Sequence, residues 1–133
     1  MKALAFFLLL PAAAMAQDAE RGQEIFASYC ATCHGPGGRG DGPMVSVLAV
    51  LPPDLTGLSR VNDGIFPVAW VAAKVDGRDR VVSHGGVMPT WGDFFEGIQS
   101  VAIPSEYGQP VLTSQPIADL IAHLEAIQEG VEE

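Results

Sequence analysis

Cys30-Ala31-Thr32-Cys33-His34 places two cysteines three positions apart, with a histidine directly after the second. Residues 18–29, just before it, carry apolar side chains at helical spacing and predict an amphipathic helix with Asp18 as its N-cap. Residues 35–43, just after it, consist mostly of glycine and proline and predict a loop. At the end of a helix, a cysteine pair with this spacing lies on one face, and the next residue turns inward beneath it.

This spacing matches the Cys-x-x-Cys-His signature of covalent haem attachment. Each cysteine can form a thioether with one of two vinyl groups on the same porphyrin edge, and the histidine then lies under the iron. A zinc or iron–sulfur site normally needs four ligands, and the sequence has only two cysteines. A thioredoxin-like redox pair needs a preceding strand, and a helix is predicted there instead. A disulfide between Cys30 and Cys33 remains an alternative.

The iron of such a haem needs a second axial ligand or an open face. With His34 on one side, Met88 is the preferred candidate for the other because it lies in an irregular glycine-rich loop and is followed by a proline. His84, four residues earlier, is the main rival. Met44 is interpreted as a packing residue of a short helix. His123 lies on the apolar side of the last predicted helix, where a packed histidine is the default interpretation.

The N-terminus predicts export. Lys2 is followed by an apolar run over 3–10 and by small residues up to Ala16, which is typical of a secretory signal peptide and too short to span a bilayer. We expect cleavage after Ala16 and a periplasmic mature chain that begins at Gln17. Residues 17–133 are expected to form one domain. The whole sequence has a formal net charge of −9, and loss of Lys2 makes the mature chain one unit more negative.

The rest of the sequence predicts an all-α fold. Residues 67–76 and 116–128 have helical patterns, although the alternation in 67–76 also suits a strand, and 44–51 have a weaker helical pattern. Residues 76–116 are rich in glycine and proline and predict one long loop, which is uncommon unless it wraps around something. We therefore expect three to five helices and long loops around one covalently bound haem.

The chain resembles a bacterial class I cytochrome c over nearly the whole mature sequence. The resemblance rests on Gly22 and Phe26 in the first helix, on the motif at 30–34, on Gly40–Pro43 and on Met88–Gly92, together with the final helix. It implies the cytochrome c fold and a single covalent haem.

The same resemblance implies roles for individual residues. Cys30 and Cys33 carry the thioethers, and His34 and Met88 bind the iron. The carbonyl of Pro43 is expected to accept a hydrogen bond from the outer nitrogen of His34, which would fix the ring that binds the metal. The sequence departs from the family at His123, where an aromatic residue is usual in the helix crossing.

Some residues can contact the haem without binding the iron. Trp91 and Trp70 can wall its pocket, although core packing explains such residues equally well. Arg60, Arg78 and Arg80 are the candidate partners of a haem propionate because a guanidinium forks onto a carboxylate.

These observations predict a one-electron carrier rather than an enzyme. The acidic charge argues against nucleic acid and anionic membranes and favours redox partner proteins with a basic docking surface. No stable membrane insertion is expected, and the protein is expected to be a monomer or a subunit of a redox complex. One alternative is a haem-based ligand sensor with a labile Met88 bond. Another is a haem subunit of a larger periplasmic oxidoreductase, docked through the apolar side chains of residues 93–115.

Overall fold

The order of helices along the chain follows the predicted pattern, with a small sheet added. A computed structural model describes residues 17–78, 88–95 and 100–130. Its helices are α1 (Ala19–Tyr29), α2 (Ala31–His34), α3 (Val68–Asp76) and α4 (Gln115–Ala126), and its strands are β1 (Ser100–Ile103) and β2 (Val111–Ser114). The predicted signal peptide, His84 and Arg80 lie outside the described residues. No helix within the described ranges is long and apolar enough to cross a membrane.

The core forms where α1 crosses α4. Asp18 caps α1, as predicted, by accepting hydrogen bonds from the backbone N–H groups of Glu20 and Arg21. On the α4 side, Ile117, Leu120 and Ile121 are at most 2 % exposed. These are the residues of the apolar stripe that the sequence predicts, and the helix that carries them is present, so the prediction of the last helix is confirmed.

Polar contacts pin the start of α1 onto α4. The buried carboxylate of Asp119 accepts from the backbone N–H of Asp18 at 2.9 Å, and the side-chain amide of Gln17 donates to the carbonyl of Ala118 at 3.1 Å. His123 packs its ring 5.3 Å from that of Phe26. Burial lowers the pKa of His123 and so favours its neutral ring, which packs in the helix crossing.

Gly22 allows the two helices to approach this closely. A Cβ atom added there would lie 2.0 Å from the backbone oxygen of Asp119 and 2.9 Å from Cβ of His123. We therefore expect Gly22→Ala to push α1 and α4 apart and to destabilise the fold by about 1–3 kcal/mol. Thermal unfolding of the haem-loaded protein measures this effect. Gly37→Ala is the matched control, because nothing lies within 4 Å of its added Cβ, and equal melting temperatures for the two variants would contradict the prediction.

The structure corrects the all-α prediction. Strands β1 and β2 pair antiparallel, with Ser100 opposite Ser114 and Ile103 opposite Val111. Ile103 and Thr113 are buried, whereas Leu112 is 63 % exposed. Each strand has four residues, which is too short for a period-2 pattern to stand out from the surrounding glycine and proline. The segment 76–116 is therefore not one long loop.

Helix α3 is confirmed close to its predicted bounds. Pro67 is its N-cap and Gly77, in a left-handed conformation with φ of 84°, is its C-cap. The weaker helix predicted over 44–51 is reduced to a single 3₁₀ turn at Val45–Val47, after which Leu48 is extended.

Candidate functional site

A cavity of about 310 Å³ lies between the helices and the segment that follows the glycine-rich loop. Its lining is mostly apolar, and α1 and α4 contribute Phe26, Leu120 and Leu124. The size and apolar character fit a cofactor pocket, for which volumes of roughly 300–1,000 Å³ are typical.

Cys30, Cys33 and His34 all line this cavity. Helix α1 ends at Tyr29, and the backbone N–H of His34 then donates to the carbonyl of Cys30 at 2.9 Å, which closes the short helix α2. Gly35, with φ of 77°, ends that turn. The two thiols are free, so the structure has no disulfide between them. The single turn thus presents two thiols and one imidazole to the same space.

The electrostatics of this space favour uncharged groups. Burial, with the neighbouring Cys33 as a smaller cause, raises the pKa of the Cys30 thiol to about 11. A thiolate is costly to hold in such surroundings, whereas a thiol or a thioether carries no charge and lies there without that cost. The lining therefore suits sulfur in the form that covalent haem attachment produces.

His34 is buried and its orientation is set by a proline carbonyl. Its Nδ1 atom lies 3.4 Å from the carbonyl oxygen of Pro53, and since a carbonyl can only accept, this contact needs the proton on Nδ1. Burial lowers the pKa of His34, and the Pro53 carbonyl acts in the opposite direction. The neutral ring is the form that binds metals, through Nε2 in this tautomer.

The expectation for Pro43 is corrected, because the carbonyl beside His34 is that of Pro53. The backbone around Pro43 is tied to α2, with Gly42 N–H donating to the carbonyl of Cys33 and Met44 N–H donating to that of Thr32. Residues 52–55 instead lie over the glycine-rich loop, where Leu55 N–H donates to the carbonyl of Gly38 at 2.7 Å. The chain therefore brings the carbonyl of Pro53, ten residues further along, to the ring.

Met88 and Trp91 line the cavity as well. Met88 is partly buried and packs against the core. Trp91 fastens this segment, because its backbone N–H donates to the carbonyl of Val75 in α3 at 2.7 Å and its ring lies 5.2 Å from that of Tyr29. Within the described residues, neither Met44 nor His123 lines the cavity. Met88 is therefore the described methionine that shares a space with His34.

The remaining predicted contacts lie elsewhere. Arg78 pairs with Asp76 and donates to the carbonyl of Leu112 at 2.7 Å. Arg60 places its guanidinium against Gly57. Neither arginine lines the cavity within the described part of the chain, whereas Lys74 does.

Lys74 and the contacts among the aromatic side chains beside the cavity were not expected from the sequence. Lys74 lies four residues after Trp70 and shares its face of α3, a spacing that could have identified it. Four aromatic side chains, which we call the aromatic cluster, are joined by five ring contacts at centroid separations of 5.0–5.8 Å. These are Tyr29, Trp91, Phe94 and Phe95. Phe94 is 58 % exposed.

The donor set fits a haem. Among the described residues, no three His, Cys, Asp or Glu side chains are grouped to hold a metal ion by themselves. Two thiols, one imidazole and one thioether around an apolar cavity fit a metal that a macrocycle holds, with protein groups at its edge and faces.

Comparisons with known proteins agree with this chemistry. Residues 17–103 match the family described as cytochrome c oxidase, cbb3-type, subunit III. A relative, the cbb3-type cytochrome c oxidase subunit FixP of Azorhizobium caulinodans, is 35 % identical over 74 residues, which is 56 % of this chain. The chain spans only 21 % of that relative's length. No solved structure matches. Because the family match covers well over half of the sequence, this chain belongs to the family of cbb3-type cytochrome c oxidase subunit III, a family of c-type cytochromes.

Proposed function

We propose that this chain holds one haem c through thioethers from Cys30 and Cys33, with His34 and Met88 as the axial ligands, and serves as a one-electron carrier in the periplasm. The observation that carries the proposal is that these four side chains line a single apolar cavity. The haem supplies a one-electron couple, and the protein supplies its attachment, ligands and surroundings.

The chain's own contacts favour a fixed ligand set. The Pro53 carbonyl orients His34, and the hydrogen bond from Trp91 to Val75 holds the segment that carries Met88. Both axial positions are then filled by protein groups. This arrangement supports electron transfer over binding of an external ligand, which needs an open face.

The acidic surface supports a partner with a basic docking face. The full sequence carries 16 acidic and 7 basic residues. Complementary charge speeds diffusional encounter and orients the partners, so we expect association to weaken as salt is added.

Membership in a redox complex is a second proposal. It is supported by the family match and by the relative, which is a subunit of a cbb3-type cytochrome c oxidase. The aromatic cluster adds a structural reason. Tyr29 and Trp91 line the cavity, while Phe94 in the same cluster is mostly exposed. Aromatic side chains of this kind are enriched in protein interfaces.

The N-terminal sequence supports the proposed periplasmic location. Residues 1–16 have the pattern of a signal peptide, and the first residues after it are fastened to the fold through Gln17 and Asp18. N-terminal sequencing of the protein from a periplasmic extract should begin at Gln17.

Optical spectroscopy tests the proposed function. The matured protein is expected to gain the mass of one haem, to show a c-type spectrum when reduced and to show a methionine-to-iron charge-transfer band when oxidised. Carbon monoxide should leave the reduced spectrum unchanged. If the band is missing and carbon monoxide binds, the sensor alternative replaces the carrier.

A further inference from the structure

Helix α3 brings a tryptophan and a lysine to the edge of the cavity. Val71 and Val75 are 4 % exposed and line the interior, whereas Trp70 is 48 % exposed and lines the same cavity. Lys74 lies one turn after Trp70, with its Nζ atom 5.5 Å from the centre of the Trp70 ring. A cation over an indole face is attracted by the ring, and both side chains belong to the lining of the cavity.

Lys74 is the one permanently cationic side chain among the described residues that line the cavity. A haem carries two carboxylates, called propionates. A carboxylate at the edge of an apolar space stays ionised at low cost only if it has a partner or water. A lysine ammonium supplies both the charge and three donors.

The described arginines lie outside the cavity lining. Arg39 pairs with Glu129, Arg21 with Glu24 and Arg78 with Asp76. Arg60 lies against Gly57 and outside the cavity lining. Since Lys74 lines the cavity and none of these arginines does, it is the cation in the described part of the chain that is best placed to meet a group inside the cavity.

We propose that Lys74, held in position by Trp70, forms an ion pair with a haem propionate and thereby raises the reduction potential. This inference rests on the proposed function, because it needs haem in the cavity. A positive charge near the haem favours the reduced form, which carries one positive charge fewer. The same charge keeps the propionate ionised to lower pH. Among the described residues, the other titratable side chains that line this space are Tyr29, Cys30, Cys33 and His34.

The test is the midpoint potential of the haem-loaded protein between pH 5 and 9, for the wild type, Lys74→Met and Lys74→Arg. We expect Lys74→Met to have a lower potential and to move the pH inflection of the propionate upward by about one unit or more. Lys74→Arg should restore both values. Arg78→Gln is the matched control, since it removes an equal charge just after the same helix but outside the cavity lining.

Each other outcome has a defined meaning. If Lys74→Met and Arg78→Gln give the same potentials and inflections, Lys74 acts only as a surface charge and the ion pair is excluded. A favourable charge at the end of α3 alone would change the melting temperature and leave the pH profile in place. Trp70→Leu should shift the inflection in the same direction by a smaller amount, with rescue by Trp70→Phe, and an unchanged inflection would remove Trp70 from the proposal.

The same samples separate this inference from the proposed function. A wild-type protein without covalent haem or without a reversible one-electron couple would contradict the function itself. A wild-type protein with both, and with a Lys74→Met profile equal to its own, would contradict the ion pair alone.

Discussion

The double variant Cys30→Ala/Cys33→Ala is expected to accumulate without covalent haem and to lose most of its folded population. Both thiols line the cavity, and without the thioethers the cavity of about 310 Å³ has no permanent occupant. At about 24 cal/mol per Å³, an empty space of this size costs at most about 7 kcal/mol. Native proteins of this size are stable by only about 5–15 kcal/mol, so the cost is a large part of the total.

Pyridine haemochrome absorbance and far-ultraviolet circular dichroism during heating measure the two effects. Thr32→Ala is the matched control, because Thr32 is an exposed position inside the same motif. It should keep the haem and melt close to the wild type. A haem-free double variant that melts at the wild-type temperature would show that the cavity needs no occupant and would contradict the prediction.

The dependence of the fold on this cavity explains which features could be predicted from the sequence. The motif at 30–34 and the stripe of α4 are local patterns: a fixed spacing in one case and a 3.6-residue period in the other. The structure contains the helix before the motif and the last helix where they were expected from neighbours in sequence.

The features that sequence reasoning missed depend on contacts between distant segments. Pro43 and Pro53 both follow glycine-rich or irregular sequence, and only the path of the backbone over Gly38 decides which carbonyl reaches His34. The hairpin of β1 and β2 needs two four-residue strands to find each other across residues 104–110. Such pairing leaves little trace in either strand alone.

The role of Lys74 was missed for a related reason. The pattern of α3 shows which residues are apolar, and it does not show how the helix is rotated about its axis against the cavity. In the structure Val71 and Val75 are buried against the cavity. Trp70 and Lys74, the neighbouring positions on the helix surface, therefore lie at the edge of the cavity. Arginines were expected to bind a propionate because of the chemistry of their side chains, but the fold places Arg78 beside Asp76 and Arg60 beside Gly57.

Replacing Met88 by leucine is expected to have the largest effect on redox properties. Leucine is close to methionine in volume, so the cavity stays filled, but it has no sulfur to bind iron. A thioether ligand raises the potential of a c-type haem, and axial ligands set haem potentials over a range of about 0.8 V. We expect the potential of Met88→Leu to fall by roughly a tenth of that range or more. The methionine-to-iron band should disappear, and carbon monoxide should bind the reduced protein.

The chain provides a matched control in Met44→Leu, which makes the same chemical change at a methionine that is 41 % exposed and outside the described cavity lining. It should keep the band and the wild-type potential. If Met88→Leu also keeps them, Met88 is not the ligand, and loss of the band in Met44→Leu would assign the bond to Met44. A wild type without the band, combined with a changed spectrum in His84→Ala, would assign the position to His84. The three variants thus identify the axial ligand by the spectrum alone, because each removes one candidate donor while the cysteine attachment and His34 stay in place.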